Sequence, residues 1–369
     1  MTLPTAPGAV AGALVEPATL GDRPTPGAVA AASSMGDVVG FGVHVDATID
    51  WAVEVGRSAP APGTGRTREL WEILATSARR DVAAARILEP HLDALAILHQ
   101  AAGAGRPVDA VRRAVNATGD SSWGVFAAEA RGTRLTATRA GDGWVLEGTK
   151  PWCSLAGRLS HALVTAWVSD DERALFAVDL RSDAVAAHGG PWVSRGLSQI
   201  SSTPVDFTAT PATPVGAPGW YLSRPGFRWG GAGVAACWWG GALPLLDALR
   251  AASARSGADQ LSRAWLGEAD SRLWAAGLAL AEAARQEDAG ANADEARVIA
   301  ERVRAVVSDA VERVIAIADT ALGPAPLTAD EDHARRVADL RVYLRQHHGG
   351  RDLARLGTAL TAEPGAGAR

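Results

Sequence analysis

His347 and His348, adjacent near the end of the chain, are the residues whose type and place best suit proton transfer. The segment before them reads as helix through about residue 346. The pair therefore sits at a helix C-terminus, where the backbone dipole favours a protonated ring and imidazole can act as acid or base near neutral pH. The same place suits rings that cap carbonyls or meet a partner subunit. Arg341, Arg345, Arg351 and Arg355 make this region cationic. They could grip phosphates of a cofactor or of coenzyme A, or form solvated and interface ion pairs. A second grouping surrounds Lys150, the only lysine in the chain, in Gly148-Thr-Lys-Pro-Trp-Cys-Ser154. There an indole, a thiol and a hydroxyl follow one another.

Several chemistries are excluded. Residues 143–150 faintly mimic a phosphate loop, but Lys150 follows Thr149 where the loop needs a glycine, and the segment reads as a strand leaving a hairpin. No GxGxxG, GxSxG or HExxH occurs, so dinucleotide, serine-hydrolase and zinc-protease signatures are missing. Cys153 and Cys237 stand far apart with no metal-ligand spacing, which rules out an ordinary zinc site or a disulfide framework and fits a reducing cytoplasm. A net charge of −5, without long blocks of either sign, gives no surface for nucleic acid.

The elements that must position these groups fall into three stretches. Residues 67–102 place Leu70, Leu74, Ala78, Val82, Ile87, Leu92, Leu95 and Leu98 at helical spacing, and residues 49–55 suggest a shorter helix before them. From 121 to about 207 the pattern changes to short strands. Gly141-Asp-Gly143 marks a tight hairpin, and strands are expected over 161–168, 174–180 and 205–208. Helix returns after Gly226, with long segments over 263–285 and 295–322; Gly323-Pro324 stops the second. Thr328 and Glu331 read as a capping box for a last long helix. Residues 229–246 carry no charge and reach the lower length limit of a membrane span. Six glycines or prolines dilute them, and the expectation is a core helix with no membrane partner. The first 35 residues, rich in Ala, Pro and Gly with Arg23 as the first basic residue, read as a flexible arm without a signal peptide.

The 148–154 segment, followed by a turn and an Ala/Val strand, resembles a motif of the acyl-CoA dehydrogenase family: Gly-x-Lys-x-Trp, a small apolar residue, then Ser or Thr. Residues 123–129 resemble the strand that opens that family's β domain, and 196–207 its late strand over the substrate. The resemblance covers about residues 66–357. It implies an α+β, mostly α fold: a helical domain (36–120), a central β-barrel domain (121–225) and a C-terminal four-helix bundle (226–369). It also implies FAD between the β domain and the bundle. By position, Trp152 would lie against the flavin ring with Cys153 beside it, and the Ser154 hydroxyl would approach the flavin N5. Backbone amides at Trp123, Val125 and Ala127 would line the cofactor, and Gly323 would keep part of a glycine pair that contacts it.

The chain also departs from the family. Aligning residues 339–349 with the family's C-terminal pattern puts His347, flanked by Gln346 and His348, where a catalytic Glu is expected. At the family's alternative site stand Gly230, Gly231 and Ala232. The Arg-x-x-Phe-Gly element that grips the FAD pyrophosphate is not evident around residues 255–261. Three functions follow as expectations for a cytoplasmic homodimer or homotetramer. One is oxidation of an acyl thioester, such as an acyl-CoA, or of a related small substrate. The second is flavin-dependent oxygenation using His347 or His348 with reduced flavin from a partner reductase. The third is a catalytically silent relative kept for assembly or ligand binding.

Overall fold

The computed structural model describes residues 15–224 and 226–361. Helices come first: α1 (Pro26–Met35), α2 (Val45–Gly56), α3 (Thr67–Arg80), α4 (Val82–Gly103) and α5 (Val108–Ala114). Strands follow: β1 (Trp123–Phe126), β2 (Leu135–Ala140), β3 (Gly143–Ser154), β4 (His161–Trp167), β5 (Arg173–Asp179), β6 (Val185–Ala187) and β7 (Ser202–Pro214). The chain then returns to helix: α6 (Trp220–Ser223), α7 (Gly226–Ser253), α8 (Gln260–Asp288), α9 (Ala293–Leu322), α10 (Pro324–Ala329) and α11 (Glu331–Tyr343). A 3-10 turn, Leu344–Gln346, leads to α12 (Gly350–Thr361). Helices, then strands, then helices is the order the sequence predicts.

The expected flexible arm is corrected over its described part, while residues 1–14 lie outside the described residues. The backbone from 20 to 27 is pinned to two carboxylates of α3. Glu72 accepts from the amides of Leu20 and Thr25, and Glu69 from that of Gly27. Pro26 then opens α1, which buries Ala28 and Met35. An Ala-rich composition hid this, because the partners that hold the segment are about fifty residues away in sequence.

Two helix boundaries also move. The 67–102 pattern breaks at Asp81, whose extended backbone and carboxylate, accepting from the Ala84 amide, start α4. The predicted Thr328/Glu331 capping box does not form. Thr328 Oγ1 donates back to the Pro324 carbonyl within α10, and Asp330 caps α11 by accepting from the His333 amide. The stop at Gly323 is as expected, with φ of 68° that favours glycine.

The strands form one sheet, with β3 paired antiparallel to both β2 and β7. Ala140 faces Gly143 across a two-residue turn, as the hairpin signal requires. β5 pairs with β7 and β4, and β4 meets β2 through the parallel pair Thr136 and Trp167. Lys150 anchors this layer. Its Nζ donates to Glu129 at 2.6 Å and to Thr165 at 2.9 Å, so the buried ammonium is paired and hydrogen-bonded.

α7 runs through the helical part and packs against α3, α4, α8 and α9. Its Trp229–Ser253 stretch has mean hydropathy 1.3 and passes the length and composition test for a membrane span, with 78% of that window buried inside the protein. Its glycines are contact points. A Cβ at Gly240 would stand 2.1 Å from the Ala75 carbonyl oxygen, so glycine is what lets α3 approach.

Candidate functional site

Trp152 occupies a bulge. β3 and β7 pair at Lys150 with Val205 and again at Cys153 with Thr203, so two residues of β3 oppose one of β7. Pro151 has no amide to give to the ladder, and Trp152 adopts a left-handed φ of 58°, a conformation that costs on the order of 1–2 kcal/mol for a residue with a Cβ. The bulge turns the indole out, 59% exposed, while Cys153 beside it points inward at 1%. An exposed indole on a well-packed strand is a surface that a flat ring would cover.

Ser154, at the end of the same strand, shares a 2.7 Å hydrogen bond with Ser202 and accepts from Arg86 Nη2 at 3.1 Å. Arg86 lies on α4, and its Nη1 is 3.4 Å from Glu89 Oε2 one turn on. Pro90 interrupts that turn and cannot donate to the Arg86 carbonyl. Beyond lies a slot of about 30 Å³ between α3, α4 and α7, lined by Trp71, Leu74, Glu89, Asp93, Trp229 and Gly233 among others. Burial pushes the Glu89 carboxyl up to about 7, against the pull of Arg86. Burial raises Asp93 as well, with Arg224 at 3.5 Å opposing it. Asp93 faces α7, where a Cβ on Gly230 would stand 3.2 Å from Asp93 Oδ1.

Arg86 lies 5.8 Å from the Tyr343 ring centroid, and Trp238 packs edge-on against Tyr343. Arg304 stacks over Trp238 at 4.9 Å and donates to the carbonyls of Gly231 and Gln346. The Tyr343 hydroxyl and Trp238 Nε1 are buried without a hydrogen-bond partner among the described residues.

The residues predicted from sequence scatter around this centre. Ser154 reaches it through Arg86, and Trp152 stands two residues earlier on β3. Cys153 turns its thiol into the sheet, where it donates to the Lys150 carbonyl and burial raises its pKa to about 12, so any contact would come from its backbone. The Trp123 amide, expected to face a cofactor, is spent on His91 Nδ1 at 3.2 Å. Val125 and Ala127 pack at the edge of a secondary apolar cluster with α4 and α5. Gly323 forms the turn between α9 and α10, and α10 packs on α9 and α11.

His347 and His348 face α12, lying 3.9 and 3.4 Å from Asp352, which also binds Arg355. At His347 the helix-end dipole meets an opposing influence. Burial lowers its pKa and outweighs the attraction of Asp352. Arg86, Glu89 and Asp93 were missed in the sequence. Their signal was three charges on the inward side of an otherwise Ala- and Leu-rich helix, at spacings of three and four.

This order of helices, sheet and helices is the acyl-CoA dehydrogenase fold. No family model and no curated protein matches the chain. Solved structures do. KijD3, in complex with FMN and a dTDP-linked amino-keto sugar, superposes with a TM-score of 0.73 at 18% identity, covering 92% of this chain and 95% of that one. FMN-bound TdsC of Paenibacillus sp. A11-2 gives 0.72 at 18% identity over 85% and 90% of the two chains. Butyryl-CoA dehydrogenase of Megasphaera elsdenii gives 0.71 at 17% identity over 86% and 89%.

Proposed function

We propose that this chain is a flavin-dependent oxidoreductase acting on a small polar substrate, with the flavin ring against Trp152 and Ser154 and with Glu89 as the proton-transferring group. The observation that carries the reading is the continuous contact from Ser154 through Arg86 to Glu89. The residues present fit the ring: an outward indole supplies an apolar wall, and a hydroxyl backed by a guanidinium supplies a polar edge. A bound flavin would supply the electron-accepting chemistry. The protein's own part is to orient, exclude water and handle the proton. A carboxyl poised near 7 can take a proton from a substrate and return it, which a carboxylate of ordinary pKa does less well.

The substrate reading follows from the slot. A space of about 30 Å³ narrowed by Trp71 and Trp229 has no room for a fatty acyl chain, and the Glu89 and Asp93 carboxyls at its edge support a substrate that presents a polar group to its mouth. FAD is the cofactor read from the sequence, and the FMN named for KijD3 and TdsC supports FMN as the rival. The β4 to β2 pairing supports a closed barrel as the platform. Trp274 and Leu278, exposed one turn apart on α8, support a homo-oligomer.

The test is to titrate purified protein with FAD and with FMN, following quenching of flavin fluorescence, in wild type and Trp152→Ala. Uptake of one flavin that is lost in the variant is expected. A protein that stays colourless with both would overturn the proposal and favour a silent assembly or ligand-binding role.

A further inference from the structure

On the far side of α4 from Arg86 lies a larger cavity, about 570 Å³, bounded by the end of α2, residues 59–64, α4 and the loop into β1. Its size falls in the range of small-molecule sites. The floor is apolar, with Val53, Leu92, Leu95 and Trp123. The polar groups on its wall are chiefly donors, and no carboxylate among the described residues lines it.

Arg112 is the most informative of these. It is half-buried at the cavity, yet makes no ion pair or side-chain hydrogen bond among the described residues. Arg57, also on the wall, is already engaged by Glu54 and Asp120. His91 adds a fixed donor. Its Nδ1 accepts from the Trp123 amide, so the neutral ring carries its proton on Nε2. That nitrogen points toward Gly56, where a Cβ would come within 2.5 Å of it. Burial keeps the ring neutral by lowering its pKa to about 4. Glycine at 56 thus leaves room for the ring at the cavity wall.

An unpaired guanidinium, a neutral N–H donor and an apolar floor with a Trp side chain form a matched set. We infer that this cavity binds a small organic anion, a phosphate or carboxylate on an apolar body, with the oxyanion at Arg112 and His91 and the body over Leu95 and Trp123. The site is separate from the Trp152–Glu89 group and does not depend on the flavin proposal.

Phenyl phosphate, benzoate, inorganic phosphate and benzylamine serve as probes in calorimetric titration of the full chain. At least one aromatic anion is expected to bind, inorganic phosphate to bind at least about tenfold more weakly, and benzylamine not to bind. Comparing phenyl phosphate with benzoate decides which oxyanion is preferred. Arg112→Gln should weaken the anion by about tenfold or more, the usual loss for a charge-assisted contact, with unchanged circular dichroism. Gly119 has open space where a Cβ would stand, so Gly119→Phe should block binding without disturbing packing and serves as the test if the Arg112 variant fails to fold. Wild type that binds neither aromatic anion, or anion affinity unchanged in a folded variant of either kind, overturns the inference.

Discussion

Arg86 Nη2 donates to the Ser154 hydroxyl at 3.1 Å, so the helix that carries Glu89 and Asp93 is tied directly to the strand that turns Trp152 outward. The contact joins residues 68 positions apart. It makes the wall and the acid one unit, and it places positive charge where it restrains the carboxyl of Glu89.

If Glu89 moves the proton, Glu89→Gln should lower kcat by about 100-fold or more while flavin affinity stays within about twofold, because the side chain keeps its volume and lies beyond Ser154. As a base Glu89 must be ionised, so activity should rise with pH through about 7, the value to which burial pushes it. Arg86→Met removes the opposing charge, so the same limb should move to higher pH. The check is a pH profile of kcat for each variant; a limb that persists in Glu89→Gln would remove the assignment.

His347→Ala, by contrast, should leave that limb in place. His347 is held neutral by burial and its ring is directed to Asp352. Its loss should appear in thermal stability, through the Asp352 and Arg355 cluster, and not in the shape of the pH profile.

Glu287 should make stability pH-dependent. It is buried, neither carboxyl oxygen has a partner among the described residues, and burial with Asp288 nearby raises its pKa to about 9. The folded state therefore holds a proton that the unfolded chain, with an ordinary value near 4.5, releases earlier. This contribution is fully present below pH about 4.5 and is lost as pH rises toward about 9, with a slope of up to about 1.4 kcal/mol per pH unit. Glu287→Gln should match wild type at pH about 5 and exceed it at pH about 8, measured by denaturant melts at both.

Opposite outcomes are expected from one change at two glycines. Gly240→Ala puts a methyl 2.1 Å from the Ala75 carbonyl oxygen, a backbone clash that should cost about 1–3 kcal/mol or more by forcing α3 and α7 apart. Gly267, within α8, has open space at its Cβ position. Gly267→Ala should stabilise by about 0.5–1 kcal/mol through helix propensity alone. Thermal melts of the two variants, read against wild type, decide the signs.

Local physics made much of the architecture legible. The period of α9, the Asp-Gly hairpin and the glycine stop at 323 depend on neighbours in sequence, and each lies where spacing puts it. What failed depended on distant partners. Residues 15–35 are held by Glu69 and Glu72, whose own sequence context is an ordinary amphipathic helix. Thr328 lies inside α10, so the cap of α11 falls to Asp330 two residues on. Linear motifs point to α7 and the C-terminus for a base, whereas the packing of α4 against α7 brings Asp93 to Gly230 from another helix. Charge on the inner side of α4 was the available clue.

Lys150 offers a direct reading of whether the β layer is intact. It is the only lysine, 1% exposed, with Nζ bonded to Glu129 and Thr165. Burial lowers its pKa while the hydrogen bond and charge of Glu129 oppose this, so the amine is shielded by packing and held by its partners. An amine-reactive acylating reagent should therefore leave Lys150 unmodified in the folded protein and label it at the rate of unfolding, which peptide mass spectrometry follows. Lys150→Met should leave Glu129 with Arg173 at 3.2 Å as its remaining cation, so the loss should fall below the roughly 3–5 kcal/mol of an orphaned buried charge. Rapid labelling of the native protein would mean that the strand carrying Trp152 opens locally, and the bulge that presents the indole would then not be a fixed wall.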